Sequence, residues 1–156
     1  MNKNQQGQGQ VENQTIEYVG FWARTWASFL DTLWMSLLVL PLLWAVYGGS
    51  YFDPEKPQAP AGAGEVLISW VLPMLLVMLF WFFKQATPGK MAISARIVDA
   101  QTGLPASRAQ LVGRYLAYIV AVMPCFLGLI WVAFDRRKQG WHDKLAGTVV
   151  VKMKHP

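Results

Sequence analysis

Charge is scarce in this chain. Charged residues make up 15% of it, against about 25% in soluble domains, and the shortfall falls in blocks. The one cysteine, Cys125, sits inside an apolar segment. It leaves no disulfide framework within one chain and argues against metal ligation by cysteine. The histidines are His142 and His155, too few for a multi-histidine metal centre, so no metal or other cofactor is expected. No nucleophile–base set converges in the sequence, which argues against an enzyme. At 156 residues there is room for one domain of a few spans and no large catalytic domain. The net charge of +5 raises nucleic acid as a partner. Yet the basic residues flank apolar runs and form no regular basic face. They read as orientation signals at a bilayer with anionic headgroups, and nucleic acid is not expected.

What is present is apolar and aromatic. Hydrophobic residues reach 54% and aromatic residues 13%. Three long apolar runs stand at about 22–47, 66–83 and 111–134, each of a length suited to a bilayer. Trp22 and Trp26 at one end of the first run, with Trp44 and Tyr47 at the other, resemble interfacial belts. Pro73 in the second run and Pro124 in the third predict kinks or breaks. Residues 1–19 read as a disordered Gln/Asn/Gly-rich tail, 20–152 as the membrane domain and 153–156 as a C-terminal tail. Residues 91–99 alternate as a strand would, and the β-branched run Gly147–Lys152 is a candidate to pair with them. Gly113, Ala117 and Ala121 form a small-residue stripe suited to close helix packing. The expected fold is an all-α membrane protein. It has two transmembrane helices, a third Pro-broken helical segment and a small cytoplasmic β-hairpin or two-strand pairing.

Charge sets the expected orientation. The loop after the second run holds Lys84, Lys90, Arg96 and Arg108, so that loop and the N-terminus are placed on the cytoplasmic side. The tail holds six basic residues from Arg136 to Lys154. One crossing by the third run would put them outside. Twenty-four residues are too few for two full spans of about 20 each. A segment that breaks near Pro124 and re-enters satisfies both constraints, with a single crossing as the alternative.

Asp31 is the most demanding residue. It lies among Leu30, Leu33, Trp34 and Met35, where a carboxylate costs roughly 2.5–3.5 kcal/mol on insertion scales. It needs a partner, a proton or a wet cavity. Arg24, Ser28, Asp31 and Met35 share one helical stripe, so Arg24 or Arg114 is the expected basic neighbour. One reading makes Asp31 a proton- or ion-binding group tuned by Arg24; the other makes the charges a packing lock. In the tail, His142-Asp143 is similar to the metal-binding pair of HD phosphohydrolases but lacks their further ligands. Thr87-Pro88-Gly89-Lys90 departs from a phosphate loop, because Met91 follows the lysine. It reads as a turn.

The blocks GFWARTWASFLDTLW, TPGKMAISARIVDAQTG and FDRRKQGWHDKLAGTVVV, in this order and spacing, resemble the RDD family of small integral membrane proteins. The resemblance covers nearly all of Gly20 to Lys152. It implies that the family's arginine falls on Arg24, its first aspartate on Asp31 and its second on Asp143, with Asp135 as the alternative. It implies transport of an unidentified ligand or monovalent cation/proton exchange, in the inner (plasma) membrane of a bacterium. The competing expectation is a structural or assembly protein. Two spans and a hairpin make little wall for a pathway, so a homo-oligomer or another membrane protein is the expected partner. Ser28, Arg114, Asp135 and His142 are the supporting candidates.

Overall fold

A backbone in lipid must satisfy its own polar groups, and the two long runs do so as helices. The computed structural model describes residues 16–55 and 62–153. Helix α1 is Phe21–Tyr47 and helix α2 is Ala63–Lys84; at 27 and 22 residues both are long enough to cross a bilayer. Their outer faces are apolar and uncovered. Trp22 (81%), Leu37 (71%), Trp70 (75%) and Phe83 (74%) stand exposed, a surface suited to lipid rather than water. The disturbance expected at Pro73 takes the form of a widened π-helical turn over Leu67–Val71, after which the helix resumes as Leu72–Lys84. Proline lacks an amide, and the wider turn re-accommodates the backbone.

A short helix, α3 (Pro88–Ala92), follows, then strand β2 (Ala95–Asp99). The strand expected over 91–99 therefore starts later. Met91 and Ala92 complete the α3 turn, and Ser94 reverses the chain with φ of 55°. The expected pairing with the tail is present. Strand β3 (Thr148–Met153) runs antiparallel to β2, with Ala95 opposite Lys152 and Asp99 opposite Thr148. A third strand, β1 (Ile16–Tyr18), pairs with the other edge of β3. These three residues belong to the stretch read as tail, so the ordered chain starts earlier than 20. With β3 central, Val149, Val150 and Val151 are all buried. Val150 joins Ile97, Leu111 and Trp81 on one face, and Val149 and Val151 join Val98 on the other. The expectations for residues 1–15, and for Lys154 and His155, lie outside the described residues.

The third apolar run is broken. Helix α4 (Arg108–Val122) starts with a reciprocal cap, in which Ser107 Oγ accepts from the Gln110 amide and Gln110 Oε1 from the Ser107 amide. Helix α5 (Leu127–Ile130) continues as a 3-10 turn, Trp131–Ala133. The axis turns by 114° between them. Cys125 and Phe126, after Pro124, adopt left-handed backbone with φ of 52° and 63°. Fifteen residues of α4 rise about 22 Å, short of a hydrocarbon core of about 30 Å. Strands β2 and β3 flank this segment in sequence and adjoin in one sheet, so the chain leaves the sheet end and comes back to it. Of the small-residue stripe, Ala121 serves this return. A side chain at Gly128 would come within 2.6 Å of the Ala121 Cα, whereas Gly113 faces open space. A last helix, α6 (Trp141–Leu145), leads into β3.

Candidate functional site

Asp143 sits at the third position of α6 and reaches back to accept from the Gly140 amide at 3.0 Å. That local cap fixes the carboxylate, and the tertiary fold brings two arginines to it. Arg24 Nη1, from the first turns of α1, lies 2.5 Å from Oδ2. Arg114 Nη1, from α4, meets Oδ1. Arg24 also donates through Nε to the Val19 carbonyl at 2.9 Å and through Nη2 to the Lys138 carbonyl at 2.5 Å. Arg114 donates to Thr148 Oγ1 on β3 at 2.8 Å. Its guanidinium stacks over Trp81 and Tyr118, 5.5 and 5.9 Å from the ring centroids. One carboxylate thus joins α1, α4, α6 and the sheet. Arg114 and Asp143 are both fully buried. Burial works to raise the Asp143 carboxyl, but Arg114 and then Arg24 overcome it and hold it well below the usual carboxylate range.

His142, beside it, stacks flat on Tyr118 at 4.0 Å. Burial, reinforced by Arg114, pushes its imidazole down to about 3, so it is neutral at physiological pH. Gly140 is needed here because a side chain would meet the His142 ring at 2.7 Å. Among the described residues no three His, Cys, Asp or Glu groups converge, and His142 is a packed ring. Asp135, the alternative second aspartate, builds a turn. It accepts from the amides of Arg137 and Gln139 and pairs with Lys144 at 2.5 Å. It does not join the arginines.

Asp31 is not paired with Arg24 or Arg114, and this corrects the expected pairing. Arg24 turns towards the sheet and is consumed by Asp143, Val19 and Lys138. Asp31 instead holds α3. Its Oδ1 accepts from the Gly89 amide at 2.7 Å, and its Oδ2 from the Thr87 hydroxyl at 2.5 Å. The Trp34 indole adds a long contact of 3.4 Å from the next turn. Thr87 is the N-cap of α3 and Pro88 its first residue, so the carboxylate caps a helix start from a neighbouring helix. The approach is close: a side chain at Gly89 would fall 2.0 Å from the Ala27 carbonyl. Only glycine fits there.

Lys90, read from the sequence as an orientation charge within a turn, is a buried cation. It is 8% exposed. Its ammonium donates to Thr87 Oγ1 at 3.4 Å, and no carboxylate of the described residues lies within ion-pairing distance. The available signal was in Thr87-Pro88-Gly89-Lys90. A capping threonine and a first-turn proline start a helix, and a glycine between marks a close approach.

Two cavities meet at this point. The larger, about 820 Å³, lies between α1, α2 and α4 and includes Ser28, Asp31, Met35, Thr87 and Lys90 in its lining. The smaller, about 290 Å³, is lined by Arg24, Ser28, Lys90, Arg114, Tyr118 and His142 among others. The stripe read along α1 is therefore real: Ser28, Asp31 and Met35 face the larger cavity, and Arg24 and Ser28 the smaller.

The family model for the RDD family matches residues 18–147. The chain belongs to the RDD family. Relatives of this RDD protein include two proteins of Bacillus subtilis (strain 168). The uncharacterized protein YxaI is 32% identical over 85% of this chain and 95% of its own length. The uncharacterized membrane protein YteJ is 32% identical over 95% of this chain and 89% of its own. The protein RP437 of Rickettsia prowazekii (strain Madrid E) is 42% identical over 47% of this chain, a match spanning 40% of RP437. No solved structure matches. Family membership and the two long apolar helices make this RDD chain a membrane protein.

Proposed function

We propose that this RDD protein takes a ligand into the cavity between α1, α2 and α4 and carries it within the inner membrane of a bacterium, without enzymatic chemistry. The Arg24–Asp143–Arg114 clasp and the Asp31 cap act as frame. The observation that carries this reading is the approximately 820 Å³ cavity with Lys90 at its inner end, a volume within the usual range for ligand sites of about 300–1,000 Å³. Proton or cation exchange through the named aspartates is the weaker version. Both oxygens of Asp31 are committed to α3, and Asp143 is held by two guanidiniums. The basic loop and tail favour a cytoplasmic sheet and N-terminus, and the return of the third segment to the sheet end favours re-entry. A pathway walled by two spans and a hairpin favours a homo-oligomer.

The test is monovalent cation and proton flux in proteoliposomes, wild type beside Asp31→Asn. The expected result is no coupled exchange in a folded wild-type protein. Exchange that disappears in a stably folded Asp31→Asn protein would return Asp31 to the role of carrier. For the orientation, a cysteine placed near Lys152 in a Cys125→Ala background should label from the same side as one at Met91.

A further inference from the structure

The charged groups in and beside the two cavities, Lys90, Arg114 and Asp143 buried and Arg24 and Asp31 partly so, do not balance. Arg24, Lys90 and Arg114 are three cations, and Asp31 and Asp143 are two carboxylates. Asp143 is shared by two arginines. Asp31 faces Lys90 only through the Thr87 hydroxyl. The Nε and Nη2 of Arg114 make no hydrogen bond among the described residues. A buried cation without a counter-charge is costly, and an anion seated at Lys90 removes that cost.

The larger cavity also shows where such an anion comes from. Its mouth is rimmed by Trp70 (75% exposed), Ile119 (60%) and Met123 (78%). These belong to, or follow directly on, the apolar helices whose outer faces meet lipid. The wall between mouth and Lys90 is apolar, with Phe80, Val77 and Val122. The opening therefore lies among faces suited to lipid, and the charged groups of the lining, Asp31 and Lys90, stand with Ser28 and Thr87 at the inner end. A molecule that enters sideways from lipid and ends in an anion matches both ends.

We infer that this cavity seats an anionic phospholipid of the surrounding bilayer, with its phosphate at the Lys90 ammonium and an acyl chain along the Phe80–Val122 wall. This rests on the ligand-carrying reading of the same cavity and names its ligand class. Selection is by charge: a zwitterionic lipid brings its own cation to a site that already holds an unpaired one. Asp31, turned towards Thr87 and Gly89, leaves the Lys90 side of the relay open to the phosphate.

The experiment is native mass spectrometry of the full chain, exchanged in detergent against an equimolar mixture of phosphatidylglycerol and phosphatidylcholine. Wild type should retain phosphatidylglycerol over phosphatidylcholine by about tenfold, the scale of one hydrogen bond to a charged group. Lys90→Gln should lose that preference while its thermal unfolding stays cooperative. Lys90→Arg should keep it, which separates charge recognition from folding. Inorganic phosphate at millimolar concentration should not displace the lipid. Displacement would assign the site to free phosphate and overturn the inference. Val122→Trp, which fills the wall, should reduce retention of both lipids. Equal retention of both lipids by wild type, lost in Val122→Trp, would overturn the anionic lipid and leave the ligand cavity standing. Retention unchanged in Val122→Trp would overturn both.

Discussion

Two aspartates in this protein solve the same problem in opposite ways. Asp143 is fully buried and neutralised by full charges, with two guanidiniums from helices far apart in sequence. Asp31 stands at a cavity edge and is satisfied by dipoles, a hydroxyl and a backbone amide at a helix start. The difference teaches what each holds together. The Asp143 set links α1, α4, α6 and β3, so its loss disconnects the sheet end from the helices. The Asp31 set positions one five-residue helix and, through it, Lys90.

The comparison is sharpest at Asp143. Asp143→Ala leaves Arg24 and Arg114 facing one another without a counter-charge. It should destabilise the fold by roughly 3–5 kcal/mol, read as a large drop in denaturant midpoint in mild detergent. A loss no greater than that of Asp31→Asn would erase the distinction between the two sites.

Gly89→Ala comes next. Its added carbon would lie 2.0 Å from the Ala27 carbonyl, so α3 must move away from α1. Overpacking of this kind costs about 1–3 kcal/mol. The displacement should also weaken an engineered disulfide between α1 and α3. Unchanged cross-linking would show that α3 is not held by close contact.

His142 gives the Asp143 region a pH signature. Its imidazole is held down to about 3 when folded, against an ordinary value of 6.5. Between these values the unfolded chain binds the proton and the folded one does not. Stability from this group is therefore full above about pH 6.5 and falls as pH drops towards 3, by up to about 1.4 kcal/mol per pH unit. Asp143 acts in the same direction at lower pH, because its folded value is also depressed and its contribution is lost as it protonates. Thermal unfolding between pH 7 and 4 should show the decline in wild type. His142→Phe, which keeps a ring against Tyr118, should flatten the upper part of that range.

The smallest effect belongs to Asp31→Asn. The amide oxygen still accepts from Gly89, and its NH2 group faces Thr87, which can reverse its hydroxyl. The expected cost is about 0.5–1.5 kcal/mol, that of one altered hydrogen bond. A cost as large as at Asp143 would mean that Asp31 is held by charge after all.

Much of this architecture was legible in the chain. Long apolar runs dictate helices in lipid, even where the first carries Arg24 and Asp31, and α1 and α2 lie close to where the runs lie. Pro124 marked the bend, and the β-branched tail marked β3. The stripe Ser28, Asp31, Met35 followed from helical period, since residues on one helix share a face whatever packs against it. Strand β1 was not legible, because three residues pair only when a central strand offers its edge.

Partner choice was decided by tertiary structure. Arg24 and Asp31 are seven residues apart on one helix, and sequence proximity made them a pair. Yet Arg24 projects to the sheet end and Asp31 to the cavity, so each meets residues more than fifty positions away. Periodicity is a property of one element and can be read from one chain segment. A buried charge takes whichever counter-group the packed elements deliver within reach, and only the folded chain specifies that distance. The sequence by itself therefore determined which helices form and which residues need partners. The fold determined that Asp143 meets two arginines, that Asp31 caps α3, and that Lys90 lines the cavity between α1, α2 and α4.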